Sequence, residues 1–167
     1  MKKLAIINKC PNNIIHAIFE YFKTQEIDIS VYEHFSTIKS ENFNLIAMIN
    51  AEQEHYIKAA CPIINLHQSL LPAFATENPL SEAIKYGAKV TGITIHYIEP
   101  NNFYGRIITQ YPVLIGLSSH IDTISNELEE ISAKLYPLVI DSVISDRVFD
   151  YTDLFKSSCN RCNKNCH

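Results

Sequence analysis

A chain of 167 residues and 19.0 kDa, 47% hydrophobic and 19% charged, is sized for one domain and too apolar for disorder to dominate. Its formal net charge is −4 with a pI of about 5.9, and its Lys and Arg are scattered, which leaves no electrostatic footprint for nucleic acid. Only four glycines occur, where average usage gives roughly twelve, and none precedes Gly87. A G-x-G-x-x-G dinucleotide fingerprint or a Walker-type phosphate loop near the N-terminus is therefore excluded, since both need glycine for a tight turn. Compositional drift in a chain rich in Ile, Asn and Lys would also deplete glycine, and both readings stand.

In chain order, Leu4–Ile7 is a short apolar run of strand length, followed by polar Asn8 and Lys9 rather than the long apolar core of a signal peptide. From Asn12 or Asn13, either of which suits an N-cap, Ile14, Ile15, Ile18, Phe19 and Phe22 are spaced for one helical face. A strand at Ile27–Val31, a polar connection, a strand at Phe43–Asn50, a helix from about Glu52 to Ala60 and a strand at Pro62–His67 come next. This alternation predicts parallel βαβ units. A loop over Gln68–Asn78 leads into a short helix through Tyr86 that Gly87 terminates. Val90–Ile98 alternates, with Ile93, Ile95 and Tyr97 on one face and Thr94, His96 and Ile98 on the other. After a loop at Glu99–Gly105, Arg106–Ile115 is a further strand.

Ile121, Ile124, Leu128, Ile131, Leu135 and Leu138 then form one apolar stripe of a long helix, with Ser119 and Asp122 resembling a capping box. Pro137 is expected to kink or loosen that helix by removing a backbone donor. The domain is placed at residues 1–156, and residues 157–167 form a polar, cysteine-rich tail without apolar periodicity.

Chemistry concentrates in Asn65-Leu66-His67. Alternate strand residues share a face, so Asn65 and His67 project together at the carboxyl end of their strand, the edge where open α/β sheets bind ligands. An amide there can donate to an oxygen gaining negative charge while an imidazole moves the proton, a pairing suited to addition at a carbonyl. On residue types and spacing alone, a turn-capping Asn65 and a satisfied, partly buried His67 remain equally open.

Asn65-Leu66-His67-Gln68-Ser69-Leu70-Leu71-Pro72 resembles the Asn-x-His-x-Ser-Leu-Leu-Pro signature of the folate-dependent formyltransferases, in particular those acting on glycinamide ribonucleotide. In order downstream, Val90–Tyr97 is similar to the next strand of that family, Gly105–Gln110 to its Gly-Pro-Ile-Ile-x-Gln run, and Leu135–Ile140 to its closing helix. The likeness covers most of residues 43–150; residues 1–42 match in outline, and the chain looks shorter by about one strand–helix unit. It implies a Rossmann-like α/β fold, with a mostly parallel sheet, helices on both faces and an antiparallel addition from Val90–Ile115. The implied reaction is transfer of a formyl group from 10-formyltetrahydrofolate to a primary amine, as in purine biosynthesis. Asn65 would stabilise the tetrahedral oxyanion and His67 would move the proton. Met48, Ile49, Glu99, Asn102 and Phe103 would lie against the folate, and Lys9, Asn12, Asn13 and His96 would serve the acceptor. No metal is implied, and the expected state is a cytoplasmic monomer or homodimer.

Three positions depart from the family pattern. Its catalytic aspartate falls on Phe103, a residue that can neither stabilise an imidazolium nor order water; if that loss limits activity, Phe103→Asp should raise the rate. Its glycine-rich phosphate cradle is replaced by Asn8-Lys9-Cys10-Pro11-Asn12-Asn13, and its Glu-His pair before Tyr-Pro becomes Ser132-Ala133. The departures leave two alternatives: a formyltransferase with another acceptor, such as a nucleotide-linked sugar, which the Asn78-Pro79-Leu80 tripeptide also suggests, or a homologue that binds folate or a nucleotide without catalysis.

The five cysteines are an odd count without a secretion signal, which points to free thiols in a reducing compartment. In the tail, Cys159, Cys162, Cys166 and His167 hold half of a zinc-site spacing, but adjacent Cys166 and His167 are poorly placed to reach one tetrahedral ion, and a solvated terminus is the simpler reading. Cys61 and Cys10 read as small packed residues rather than nucleophiles, and His16, His34, His55 and His120 as surface or cap histidines.

Overall fold

A computed structural model describes residues 1–8, 13–51, 59–116 and 120–150. The expected helix of residues 52–60 for the most part, the cap candidates Asn12 and Ser119, the site candidate Lys9 and the tail, with Cys159, Cys162, Cys166 and His167, lie outside the described residues. The elements are β1 (Lys2–Ile7), α1 (Asn13–Phe22), β2 (Ile27–Tyr32), β3 (Leu45–Ile49), β4 (Ile63–His67), α2 (Pro79–Lys85), β5 (Val90–Ile98), β6 (Ile107–Leu114) and α3 (Ile121–Ile144). They build one six-stranded sheet in the order β2-β1-β3-β4-β5-β6. β2, β1, β3 and β4 run parallel, and β5 and β6 add antiparallel.

Each central strand is buried on both faces, as a parallel sheet requires. On one face Leu4, Ile6, Leu45, Ala47, Ile64, Leu66, Ile93 and Ile95 meet Ile14, Ile18 and Phe22 of α1 and Ile124, Leu128, Leu135 and Tyr136 of α3. The opposite face carries a smaller cluster of Ala5, Ile7, Phe35, Ile46, Met48, Ile63, Ile98 and Phe103. Phe35 reaches it from the connection after β2, a segment expected from its polarity to be a plain link. That connection contains two short 3-10 turns, Phe35–Thr37 and Ser40–Asn42. The strand expected at Phe43–Asn50 is trimmed to Leu45–Ile49. Asn44 takes the Lys3 N–H on its side-chain oxygen at 2.8 Å, and Asn50 turns away with φ of +48°.

The ends of α2 follow local chemistry. Pro79 stands in its first turn, where no N–H is needed, and Gly87 has φ of +71° just past its end. The Gly87 and Ala88 N–H groups close back on Ile84 and Ala83. α3 begins after His120, whose carbonyl takes the Thr123 and Ile124 N–H groups and whose side chain makes no capping bond. α3 continues to Ile144 past Pro137, the position expected to kink or loosen it. Burial of Leu135, Tyr136, Val139 and Ile140 outweighs the loss of one backbone bond.

α3 lies across the sheet with its N-terminal half toward the carboxyl edge. Lys2 Nζ, at the start of β1, donates to Ile144 O at 2.7 Å, whereas the N-terminus of α1, which follows β1, meets Glu129. The fully buried Tyr136 hydroxyl donates to Met48 O at 2.7 Å, with Ile64 O at 3.3 Å, and so joins α3 to β3 and β4. Burial pushes that hydroxyl well above its ordinary range. Tyr136→Phe should cost about 1–3 kcal/mol by leaving the Met48 carbonyl short of a partner, read as a lowered midpoint in urea at unchanged slope.

Candidate active site

β4 presents Asn65 and His67 on the face opposite α1 and α3, at the carboxyl ends of the strands. Met48 stands beside Asn65 in the β3–β4 ladder and His96 opposite it on β5. Asn65 is fully buried and its orientation is fixed from two sides. Its Oδ1 accepts the Ala51 N–H at 3.1 Å, and its Nδ2 lies 3.2 Å from His96 Nε2. The other ring nitrogen of His96, Nδ1, is 3.0 Å from Tyr97 O. A carbonyl only accepts, so His96 carries its proton on Nδ1 and receives an Asn65 N–H on Nε2. Among the described residues the second Asn65 N–H is uncommitted.

His67 is nearly buried, and its Nε2 lies 3.4 Å from Phe74 O. The same reasoning places the His67 proton on Nε2 and leaves Nδ1 with the lone pair of a base. Burial lowers the titration of both histidines below the ordinary 6.5, opposed by the Phe74 and Tyr97 carbonyls, and for His96 the neighbouring His67 lowers it further. Each imidazole is therefore neutral at pH 7. A base whose folded pKa is depressed contributes stability that is complete above 6.5 and is lost as pH falls below it, because the unfolded chain takes up protons first. Chemical denaturation at stepwise lower pH should show stability declining from about 6.5 downward, and substitution of His67 by Gln should flatten that decline.

The loop after His67 is clamped by polar side chains from β5 and β6. Thr94 Oγ1 donates to Ser69 O at 2.6 Å and accepts the Leu71 N–H at 3.0 Å; Gln110 Nε2 reaches both Leu71 O and Thr94 Oγ1. The Ser69 hydroxyl closes on Ala73 O at 2.8 Å. These bonds hold Phe74 where its carbonyl meets His67. Thr94 and Gln110 belong to segments matched by motif, but only the antiparallel register, which sets Thr94 opposite both His67 and Gln110, makes their purpose visible.

The remaining candidates divide. Phe103 is buried in the smaller core beside Met48, and its ring stands 6.2 Å from that of His96. Glu99 and Asn102 pair through their backbones, each N–H donating to the other's carbonyl at 3.0 Å. Ile49 packs in the core on the far side of the sheet, away from Asn65. His96, expected on the acceptor, is fully buried with both ring nitrogens engaged inside the chain, so it holds Asn65. Asn13 is exposed at the start of α1, where its N–H donates to Glu129 Oε1 at 3.3 Å. Asn13, Ala17, Asn126, Glu129, Ala133 and Lys134 help line a cleft of about 500 Å³ between α1 and α3. Burial pushes the half-buried Cys61 thiol up, which opposes a nucleophilic role. Among the described residues no group of three or more His, Cys, Asp or Glu side chains is placed to hold a metal, and no helix is long and apolar enough to cross a membrane.

Residues 53–140, more than half of the chain, match the family model described as formyl transferase. The phosphoribosylglycinamide formyltransferase of Bacillus subtilis is 38% identical over 82 residues, 49% of this chain and 42% of that protein. A methionyl-tRNA formyltransferase of Halalkalibacterium halodurans is 39% identical over 89 residues, 53% of this chain and 27% of that one. The matches thus span less than half the length of these curated relatives. Among solved structures, glycinamide ribonucleotide transformylase 1 from Geobacillus kaustophilus superposes with a TM-score of 0.64 at 21% identity, covering 86% of this chain and 97% of that one. A 4-N formyltransferase from Francisella tularensis gives 0.70 at 16% identity over 87% and 70% of the two chains. The structural likeness establishes a shared fold, and together with the matched segment that carries Asn65 and His67 it makes the chain a member of the formyl transferase family.

Proposed function

We propose that the chain transfers a formyl group from 10-formyltetrahydrofolate to a primary amine. The observation that carries this reading is the Asn65 amide, locked by Ala51 and His96 with one N–H left to give, on the same face as a neutral His67. The amine nitrogen forms a bond to the formyl carbon as the carbonyl π pair moves onto oxygen. The uncommitted Asn65 N–H donates to that oxyanion, and because the amide is already oriented, little reorganisation opposes charge development. His67 takes the proton from the attacking nitrogen on Nδ1 and delivers a proton to the departing folate nitrogen as its bond to the formyl carbon breaks. Met48 beside Asn65 and the Tyr104 ring against His67 and His96 supply apolar surface suited to a planar heterocycle.

The test is incubation with 10-formyltetrahydrofolate and a panel of amines, following tetrahydrofolate release and formylated product by mass. Release without any amine would mark hydrolysis, the reaction named for the formyltetrahydrofolate deformylases among the relatives. Folate binding with no release under any condition would sink the proposal and leave a folate-binding homologue.

A second reading concerns the acceptor. The cleft between α1 and α3 presents Glu129 and Glu130, with Lys134 as the one cation among its described lining residues. The α1 N-terminus, where an anion would bind, already gives the Asn13 N–H to Glu129. Ser132 is buried and its hydroxyl is spent on Leu128 O at 2.7 Å, so it offers nothing to a ribose. These features favour an amine on an uncharged carrier, such as an amino sugar, over one on a ribonucleotide phosphate. The same panel decides between them, with the amino sugar expected to show the higher kcat/KM; faster turnover of glycinamide ribonucleotide would reverse the order.

A further inference from the structure

In the family pattern that this chain resembles, a carboxylate serves the catalytic histidine. Among the described residues no carboxylate acts on either imidazole: burial and the Phe74 carbonyl act on His67, and burial, the Tyr97 carbonyl and His67 act on His96, whose Nε2 also faces Asn65 Nδ2. His67 is then held by one long bond to Phe74 O, too little by itself to fix a ring that must meet a substrate within fractions of an ångström. The aromatic ring beside it among the described residues is that of Tyr104.

The Tyr104 ring meets that of His67 at a centroid distance of 5.8 Å and an interplanar angle of 67°, and that of His96 at 5.7 Å. Its other contact is Phe103, 5.0 Å away and nearly perpendicular, which is itself anchored in the core. The backbone gives Tyr104 little freedom. On its N-terminal side Glu99-Pro100-Asn101-Asn102 is a tight turn, with Pro at the second position, φ of +75° at Asn101 and both Glu99–Asn102 backbone bonds at 3.0 Å. On its C-terminal side the Gly105 N–H donates to Tyr97 O at 3.0 Å, and a Cβ at Gly105 would come within 2.6 Å of that same oxygen. The ring is thus presented between a closed turn and a glycine pin, half-buried, with its polar end raised in pKa by the same desolvation that acts on the histidines.

We propose that Tyr104 is the positioning residue of this site, its ring fixing His67 and shielding the His67–His96 pair from water in place of the carboxylate. Among the described residues Tyr104 is the titratable ring packed on both imidazoles, and His67 in turn bears on His96. The kinetic part of this inference rests on the formyl-transfer reading above; the contact itself does not.

Imidazole titrations by 15N-detected NMR on the full chain, with Tyr104→Phe and Tyr104→Ala beside the unaltered protein, test it. Tyr104→Ala should admit water and bring both histidines back up toward 6.5, and Tyr104→Phe should keep them low. With an active acceptor, Tyr104→Ala should lower kcat on the order of 10- to 100-fold and carry the acid limb of the pH–rate profile upward with the His67 titration, and Phe should rescue both. Histidine titrations unmoved in Tyr104→Ala would overturn the proposal, and so would failure of Phe to rescue, since that would assign the role to the hydroxyl. Moved titrations in a chain that forms no product with any amine would leave the Tyr104 contact standing and remove the proposed reaction instead.

Discussion

Replacing Asn65 by alanine should reduce kcat for formyl transfer by about 10²- to 10³-fold, the scale at which loss of one oxyanion donor is felt. The fold should survive less comfortably than a surface change would. The Ala51 N–H loses its acceptor and His96 Nε2 its donor, which together cost about 2–4 kcal/mol. Asn65→Asp separates the two effects. A carboxylate keeps an acceptor for Ala51 but puts an anion where negative charge must develop, so activity should fall at least as far as in Asn65→Ala. The buried histidines beside it would be pulled toward protonation. A rapid-quench measurement of the first turnover, alongside urea midpoints for both variants, gives the comparison. Transfer within a factor of a few of the unaltered protein in folded Asn65→Ala would show that the oxyanion is held elsewhere. His67→Ala should leave folate binding intact and slow transfer by about 10²- to 10⁴-fold, with partial rescue by added imidazole, since its contribution is a proton carried rather than a charge held.

What the sequence made legible was whatever is periodic or contiguous. The β4 run puts Asn65 and His67 on one face by the two-residue repeat alone, and the alternation of β5 and the stripe of α3 are written in the same way. The side chains that set the chemistry came from distant segments. His96 meets Asn65 across 31 positions, Thr94 meets Ser69 across 25, and Tyr136 reaches Met48 across 88. Each of these pairings depends on strand register or helix placement, which no local pattern encodes. At His96 the register adds what a local pattern does not show: β5 sets it opposite Asn65, fully buried with both ring nitrogens engaged and the Tyr104 ring against it. Pro137 illustrates the reverse case: a local helix breaker sits in the interior of α3 because its neighbours bury so much apolar surface.

Phe103→Asp is the substitution for which the fold reverses the expectation drawn from the sequence. As a missing carboxylate, Phe103 invites restoration; as a side chain, it is 6% exposed within a cluster of Ala5, Ile7, Phe35, Ile46, Met48, Ile63 and Ile98. An aspartate there removes a ring worth about 3–5 kcal/mol of packing and leaves a buried carboxyl in an apolar cluster. The loop would escape this cost by turning residue 103 outward, but the closed Glu99–Asn102 turn and the Gly105 pin resist that rotation. Even a protonated aspartic acid would leave Tyr104 without its perpendicular partner and the histidine pair without its cover. The expected result is therefore a thermal midpoint lower by at least about 10 °C, the shift that a loss of several kcal/mol implies for a domain of this size, together with slower transfer. Phe103→Leu, which keeps the core apolar, should retain most of the stability and part of the activity. A folded Phe103→Asp variant that transfers formyl groups faster than the unaltered chain would show that the carboxylate was the missing part after all, and that the aromatic loop is only its filler.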